Sequence, residues 1–114
     1  MKLAIVGSRS FSDYILLKES ILKSFPGVTI VVSGGAKGAD QLGQKFAEEL
    51  QLKTEIYLPD WKRYGKGAGI VRNELIVKNS NAVIAFWDGV SKGTKKSIDI
   101  SRELGKKLII IRFQ

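Results

Sequence analysis

Val28-Thr29-Ile30-Val31-Val32-Ser33-Gly34-Gly35-Ala36-Lys37-Gly38-Ala39-Asp40 is the stretch on which the fold turns. Its apolar run, Val28 to Val32, enters a glycine-rich turn, and beyond the turn Ala39, Leu42, Phe46 and Leu50 recur at helical spacing. An apolar run without clean polar alternation is what a strand covered on both faces of a parallel sheet looks like. The stretch therefore reads as strand, turn and the opening of a crossover helix.

The same grammar repeats on both sides of it. Runs at Leu3 to Val6, Glu55 to Leu58, Ala82 to Phe86 and Leu108 to Ile111 read as further strands, and only Thr54-Glu55-Ile56-Tyr57-Leu58 alternates enough to suggest a sheet edge. Helical spacing joins Tyr14, Leu17, Ile21 and Phe25 in a helix stopped by Pro26-Gly27, with Ser10 and Asp13 as its expected capping box. Ala68, Val71 and Leu75 predict a third helix, and Thr94, Ile98, Ser101 and Leu104 a fourth that ends at Gly105. Strict alternation of strand and helix implies right-handed crossovers. The fold class is thus α/β, a Rossmann-like three-layer sandwich around a five-stranded parallel sheet. The order 3-2-1-4-5 places the alternating third strand at one edge. Strand five then forms the other edge, and its apolar sequence leads us to expect that it is covered in a homo-oligomer.

Composition bounds the rest. With 114 residues and no linker, repeat or low-complexity segment, residues 1–114 are expected to form a single domain. The chain has no cysteine and no histidine, so disulfides, thiolate metal sites, cysteine nucleophiles and imidazole bases are all excluded. No metal site is expected. The opening Met-Lys-Leu-Ala-Ile-Val meets Gly7 too soon for a signal peptide, and no apolar stretch approaches the roughly 18 residues of a membrane span. A cytoplasmic location and no membrane partner are the expectations. The formal charge of +8, from 19 Lys+Arg against 11 Asp+Glu, favours contact with something anionic without naming it.

In a parallel α/β sheet every strand-to-helix loop lies along one rim, and ligands bind where the strand order reverses. Nine of the twelve glycines fall in those loops: Gly7, Gly34, Gly35, Gly38, Gly65, Gly67, Gly69, Gly89 and Gly93. Glycine lets backbone N–H groups approach a ligand, and helix N-termini add free donors and a positive dipole end, which together make phosphate-binding conditions. Arg9, Lys37, Lys62, Arg63, Lys66, Arg72, Lys92, Lys95 and Lys96 add cationic side chains at or near the rim. Neither the order of a nucleoside-triphosphatase phosphate loop nor a dinucleotide fingerprint is present. Glycines and Ser/Asp caps also serve ordinary turns, so the set of loops carries the reading rather than any one of them.

As a set, Gly7-Ser8-Arg9 with Phe11 and Asp13, Val32 through Asp40, Pro59 and Trp61 with Tyr64-Gly65-Lys66, Ala68-Gly69 with Arg72-Asn73, and Gly89 with Gly93-Thr94 resemble the SLOG superfamily. The branch they are most similar to is its small YspA-related one, akin to the LOG phosphoribohydrolases and to the DNA-processing protein DprA. The resemblance implies binding of a nucleotide or nucleotide-derived small molecule, with no required cofactor and with Mg2+ compatible but not demanded. It places Gly7, Ser8 and Arg9 beside the ligand after strand one, and Ser33, Gly34, Gly35, Lys37 and Asp40 at the second helix, where the glycines and Lys37 would hold phosphate. It also places the Arg72-Asn73 pair on the third helix, and Gly93 with Thr94 at a second glycine loop. Asp88 is read either as a holder of ribose hydroxyls or as an Asx turn before Gly89. Trp61 either stacks on a base or covers the end of the sheet.

Three functions follow in order of preference. The first is a sensor, carrier or sequestering protein for a phosphorylated nucleotide derivative. The second is a hydrolase of the phosphoribohydrolase kind. Those relatives carry a glutamate three residues after Gly-Thr, where this chain has Ser97, so the catalytic candidates reduce to Glu74, Asp88 and Asp99. The third is single-stranded DNA binding as in DprA, which would use Trp61 and Tyr64 interleaved with Lys62, Arg63 and Lys66.

Overall fold

The computed structural model describes all residues 1–114. Five parallel strands, β1 (Lys2–Gly7), β2 (Ile30–Ser33), β3 (Lys53–Ile56), β4 (Ala82–Trp87) and β5 (Lys107–Arg112), pair in the order β3-β2-β1-β4-β5. This is the expected Rossmann-like order. Helices α1 (Tyr14–Ser24), α2 (Ala39–Glu49), α3 (Trp61–Tyr64), α4 (Ala68–Lys78) and α5 (Lys92–Glu103) provide the crossovers, with a 3-10 turn over Gly65–Gly67.

Side chains on a strand alternate between faces, and the central strands use both. From β1 and β4, Leu3, Ile5, Ile84 and Phe86 pack with Leu17 and Ile21 of α1 and with Phe46 of α2. Ala4, Val6, Val83 and Ala85 face the other way, against Ile76 and Val77 of α4 and Ile98 and Ile100 of α5. Phe11, in the loop after β1, is buried and stacks on Phe86 with ring centroids 4.7 Å apart. It anchors that loop to the core.

Five local expectations shift. Strand β2 begins at Ile30 rather than Val28, because Thr29 is held by the chain start through its N–H to the Met1 carbonyl, 3.0 Å. Strand β3 runs from Lys53 to Ile56 instead of Glu55 to Leu58, since its ladder lasts only as long as β2 offers partners, from Ile30↔Lys53 to Ser33↔Ile56. The cap of α1 is Asp13, whose Oδ1 accepts from the Leu16 N–H at 3.0 Å, while Ser10 belongs to the rim loop. In α4 the buried face passes through Ala68, Ile76 and Val77, and Leu75 lies on the outer side. The segment Pro59 to Gly69, expected to be a loop, contains α3, capped by an Asp60 carboxylate that accepts from the Arg63 N–H at 3.1 Å.

Candidate functional site

The strand order reverses between β1 and β4, and the loops leaving those strands are bonded to each other there. The Asp88 N–H donates to the Ser8 hydroxyl at 3.2 Å, and the Ser91 hydroxyl lies 2.8 Å from the same oxygen. Asp88 in turn accepts from the N–H groups of Val90, 2.9 Å, and Ser91, 2.8 Å. Those two amides, the Ser91 hydroxyl and Ser8 hold the Asp88 carboxyl down at about 2. The Asx-turn reading therefore describes its hydrogen bonds, although the residue still borders the hollow beside it.

That hollow, of about 460 Å3, opens between the two loops and α4. Its wall brings together nine residues singled out in the sequence: Gly7, Ser8, Arg9, Asp40, Arg72, Asn73, Asp88, Gly93 and Thr94. A second hollow of about 620 Å3 adjoins it and takes in Gly34, Gly35 and Trp61, with Arg9, Arg72, Asn73 and Gly93 bordering both. Four candidates border neither. Ser33 is fully buried, its hydroxyl 3.4 Å from the Asp40 carbonyl oxygen, and Lys37 is exposed. Glu74 is half-buried on α4, and Asp99 is paired with Lys95 at 2.7 Å around a shallower depression further along α5. The carboxylates at the first hollow are Asp40 and Asp88.

The geometry of Arg72 and Asn73 determines what this site can hold. Arg72 donates through Nε to Asn73 Oδ1 and through Nη1 to the Gly34 carbonyl, both at 2.9 Å. A guanidinium has five N–H donors, so three remain. Asn73 has committed its oxygen, which leaves its NH2 group as the free end. The pair thus presents only donors, the polarity an anion requires. Gly34 is glycine for steric reasons: a Cβ there would stand 2.7 Å from Arg72 Nη1 and 2.9 Å from Asp40 Oδ2.

The two glycine loops are not equivalent. At the α2 loop the Ala36 N–H is already taken by Asp40 Oδ2 at 3.1 Å, and the Gly35 N–H points to the Ser33 hydroxyl at 3.5 Å. At α5 there is no side-chain cap, because the Ser91 hydroxyl is committed to Ser8 and Asp88. No protein acceptor takes the N–H of Gly93 or Thr94, and both residues face the first hollow. Free amides and the positive end of a 12-residue helix therefore meet Arg72 there.

Asp40 is the buried acid of the site. Desolvation raises its carboxyl to about 6, against the opposing pull of the Ala36 amide, Arg72, the Gly34 amide and Arg9. Ser91, absent from the expected site, ties the two loops together. Its spacing in Asp88-Gly89-Val90-Ser91, immediately before the helix opening, was the available signal.

Comparison with known proteins bears on the family and the fold. A model of the YspA, cpYpsA-related SLOG family matches residues 1–64. The Gene 61 protein of Mycobacterium phage D29 is 30% identical over 117 residues, covering 95% of this chain and 94% of that protein. Among solved structures, DNA processing protein A from Helicobacter pylori, a single-stranded DNA binder, superposes with a TM-score of 0.75 at 23% identity over 100% of this chain. DprA from Streptococcus pneumoniae superposes with a TM-score of 0.78 at 23% identity over 99% of it. The chain spans 66% and 50% of the lengths of those two proteins, and the likeness to them is one of fold.

Proposed function

Because the chain belongs to the YspA, cpYpsA-related SLOG family, we propose that it binds a nucleotide or nucleotide-derived phosphorylated ligand at the rim where β1 and β4 part. The observation that carries this reading is the donor-only Arg72-Asn73 pair set beside the uncapped amides of Gly93 and Thr94. A phosphate group seats there against charge-assisted donors and a helix dipole. The first hollow, lined by hydroxyl groups including Ser10, Thr94 and Ser97, suits the attached sugar. Ser8, Ser91 and Asp88 hold the loops in place before any ligand arrives, which lowers the ordering cost of binding.

Calorimetric titration of AMP and of adenosine tests this. The reading expects AMP to bind and adenosine to bind at least tenfold more weakly, the worth of about 1.4 kcal/mol for the phosphate contacts. Equal affinity for the two, or no binding by AMP, adenine or guanine nucleotides at low salt, refutes it.

A second reading has one observation in its favour. Trp61 and Tyr64 are exposed and interleaved with Lys62, Arg63 and Lys66, the pattern of stacking platforms beside a phosphate-tracking groove. Since Helicobacter pylori DNA processing protein A binds single-stranded DNA, that partner is the alternative. Counterion release makes such binding fall steeply with salt, whereas a mononucleotide held in a hollow responds much less.

A further inference from the structure

The phosphate reading leaves the second hollow unexplained. It is as large as a small-molecule site in its own right, at about 620 Å3, and it joins the first along Arg9, Arg72, Asn73 and Gly93. The two linings differ in chemistry. Around the first hollow the charged side chains balance, Arg9 and Arg72 against Asp40 and Asp88, and the rest of its polar wall is rich in hydroxyl groups. Around the second there is no carboxylate. Its charged residues are Arg9, Lys66, Arg72, Lys92 and Lys96, and its apolar wall is made by Leu58, Pro59, Trp61 and Ile70.

A charge-balanced wall of hydroxyls and carboxylates matches the hydroxyl groups of a sugar, which need both donors and acceptors and carry no charge. An apolar wall under a wholly positive field matches a planar aromatic ring attached to an anion, because the ring removes apolar surface from water while the lysines meet the charge. The Trp61 indole is 60% exposed without a ligand, so its face is available for stacking. Between the two walls stand the arginines that both hollows share.

Resting on the phosphate reading above, we propose that the ligand is a nucleoside diphosphate whose far phosphate carries a sugar. Its base lies over Trp61 in the second hollow, its two phosphates cross the ridge of Arg9 and Arg72, and its terminal sugar enters the first hollow. A mononucleotide fills one hollow and leaves the complementary chemistry of the other unused.

The test is calorimetry with ribose 5-phosphate, ADP and ADP-ribose on the wild-type chain and on Trp61→Ala, with circular dichroism to confirm folding. ADP-ribose is expected to bind at least about tenfold more tightly than either shorter compound, since it engages both hollows. Trp61→Ala is expected to weaken ADP and ADP-ribose by about tenfold or more, the usual worth of a base stacked on an aromatic ring, and to leave ribose 5-phosphate within about twofold. Leu58→Asp, at a side chain 70% exposed, places a carboxylate in the cation-lined hollow and should give the same pattern should the tryptophan variant misfold. ADP-ribose binding no tighter than ADP, or both variants sparing the adenine compounds, overturns the diphosphate-sugar assignment alone. Failure of all three compounds to bind overturns the phosphate reading beneath it.

Discussion

Replacing Asp40 by Asn should make the protein more stable at alkaline pH than at acid pH relative to wild type, and the size of the effect follows from where the carboxylate sits. Asp40 is 8% exposed, and burial lifts its carboxyl from an ordinary 3.8 to about 6. Over that interval the folded chain holds a proton that the unfolded chain has released, so stability falls as pH rises from about 4 to about 6. A difference of about two units corresponds to about 3 kcal/mol, absent below the unfolded value and fully imposed above the folded one. Asn keeps the size of the side chain and an oxygen for the Ala36 N–H but carries no charge. The assay is urea denaturation of both proteins at about pH 4.5 and about pH 8. The carboxylates lowered by their partners, Glu49, Glu55, Asp88 and Asp99, contribute equally to both chains and cancel in the comparison. The stability of Asp40→Asn minus that of wild type should then rise by about 2 kcal/mol between the two pH values, the part of the transition they span. A difference that does not change with pH would show that Asp40 is ordinarily solvated and that the buried-acid account of the α2 loop is wrong.

Two further outcomes follow from the contacts of Arg72. Arg72→Ala should cost about 1.5–3 kcal/mol of affinity for a phosphate-bearing nucleotide while sparing the fold, as read by calorimetry and thermal denaturation. Gly34→Ala should also weaken phosphate binding, because its methyl group would meet Arg72 Nη1 and Asp40 Oδ2, and the guanidinium must leave the Gly34 carbonyl; the nucleoside without phosphate serves as the control.

The topology was legible because each strand is a short apolar run closed by a turn residue, and an all-parallel alternation leaves few ways to wind a sheet. The edge position of β3 was visible in the alternation of Thr54 to Leu58, but its register was not, because the length of β2 limits its ladder and Ser33 is the last partner. In α4 five of eleven residues, Ile70, Val71, Leu75, Ile76 and Val77, are large and apolar, so periodicity alone selected Leu75 where packing selects Ile76 and Val77. The short helix after Asp60 hid in a polar stretch that spacing could not resolve.

The rim was also legible as a place, because glycines and cations gather there whatever their individual roles. Which glycine loop keeps its amides free was not. That depends on Asp40 folding back onto Ala36 and on Ser91 turning away from its own helix toward Ser8, contacts that link residues 4 apart in one case and 83 apart in the other. Candidate carboxylates met the same difficulty. Glu74 and Asp99 are near the motif in sequence, yet helix rotation places both outside the two hollows.

The most direct measurement is a backbone amide NMR titration of the isotope-labelled protein with AMP. The account predicts that the largest shifts fall on the amides of Gly93 and Thr94 and on the Asn73 side-chain NH2, where free donors meet the phosphate. Shifts confined to Gly34 through Lys37, with the α5 amides unmoved, would contradict it.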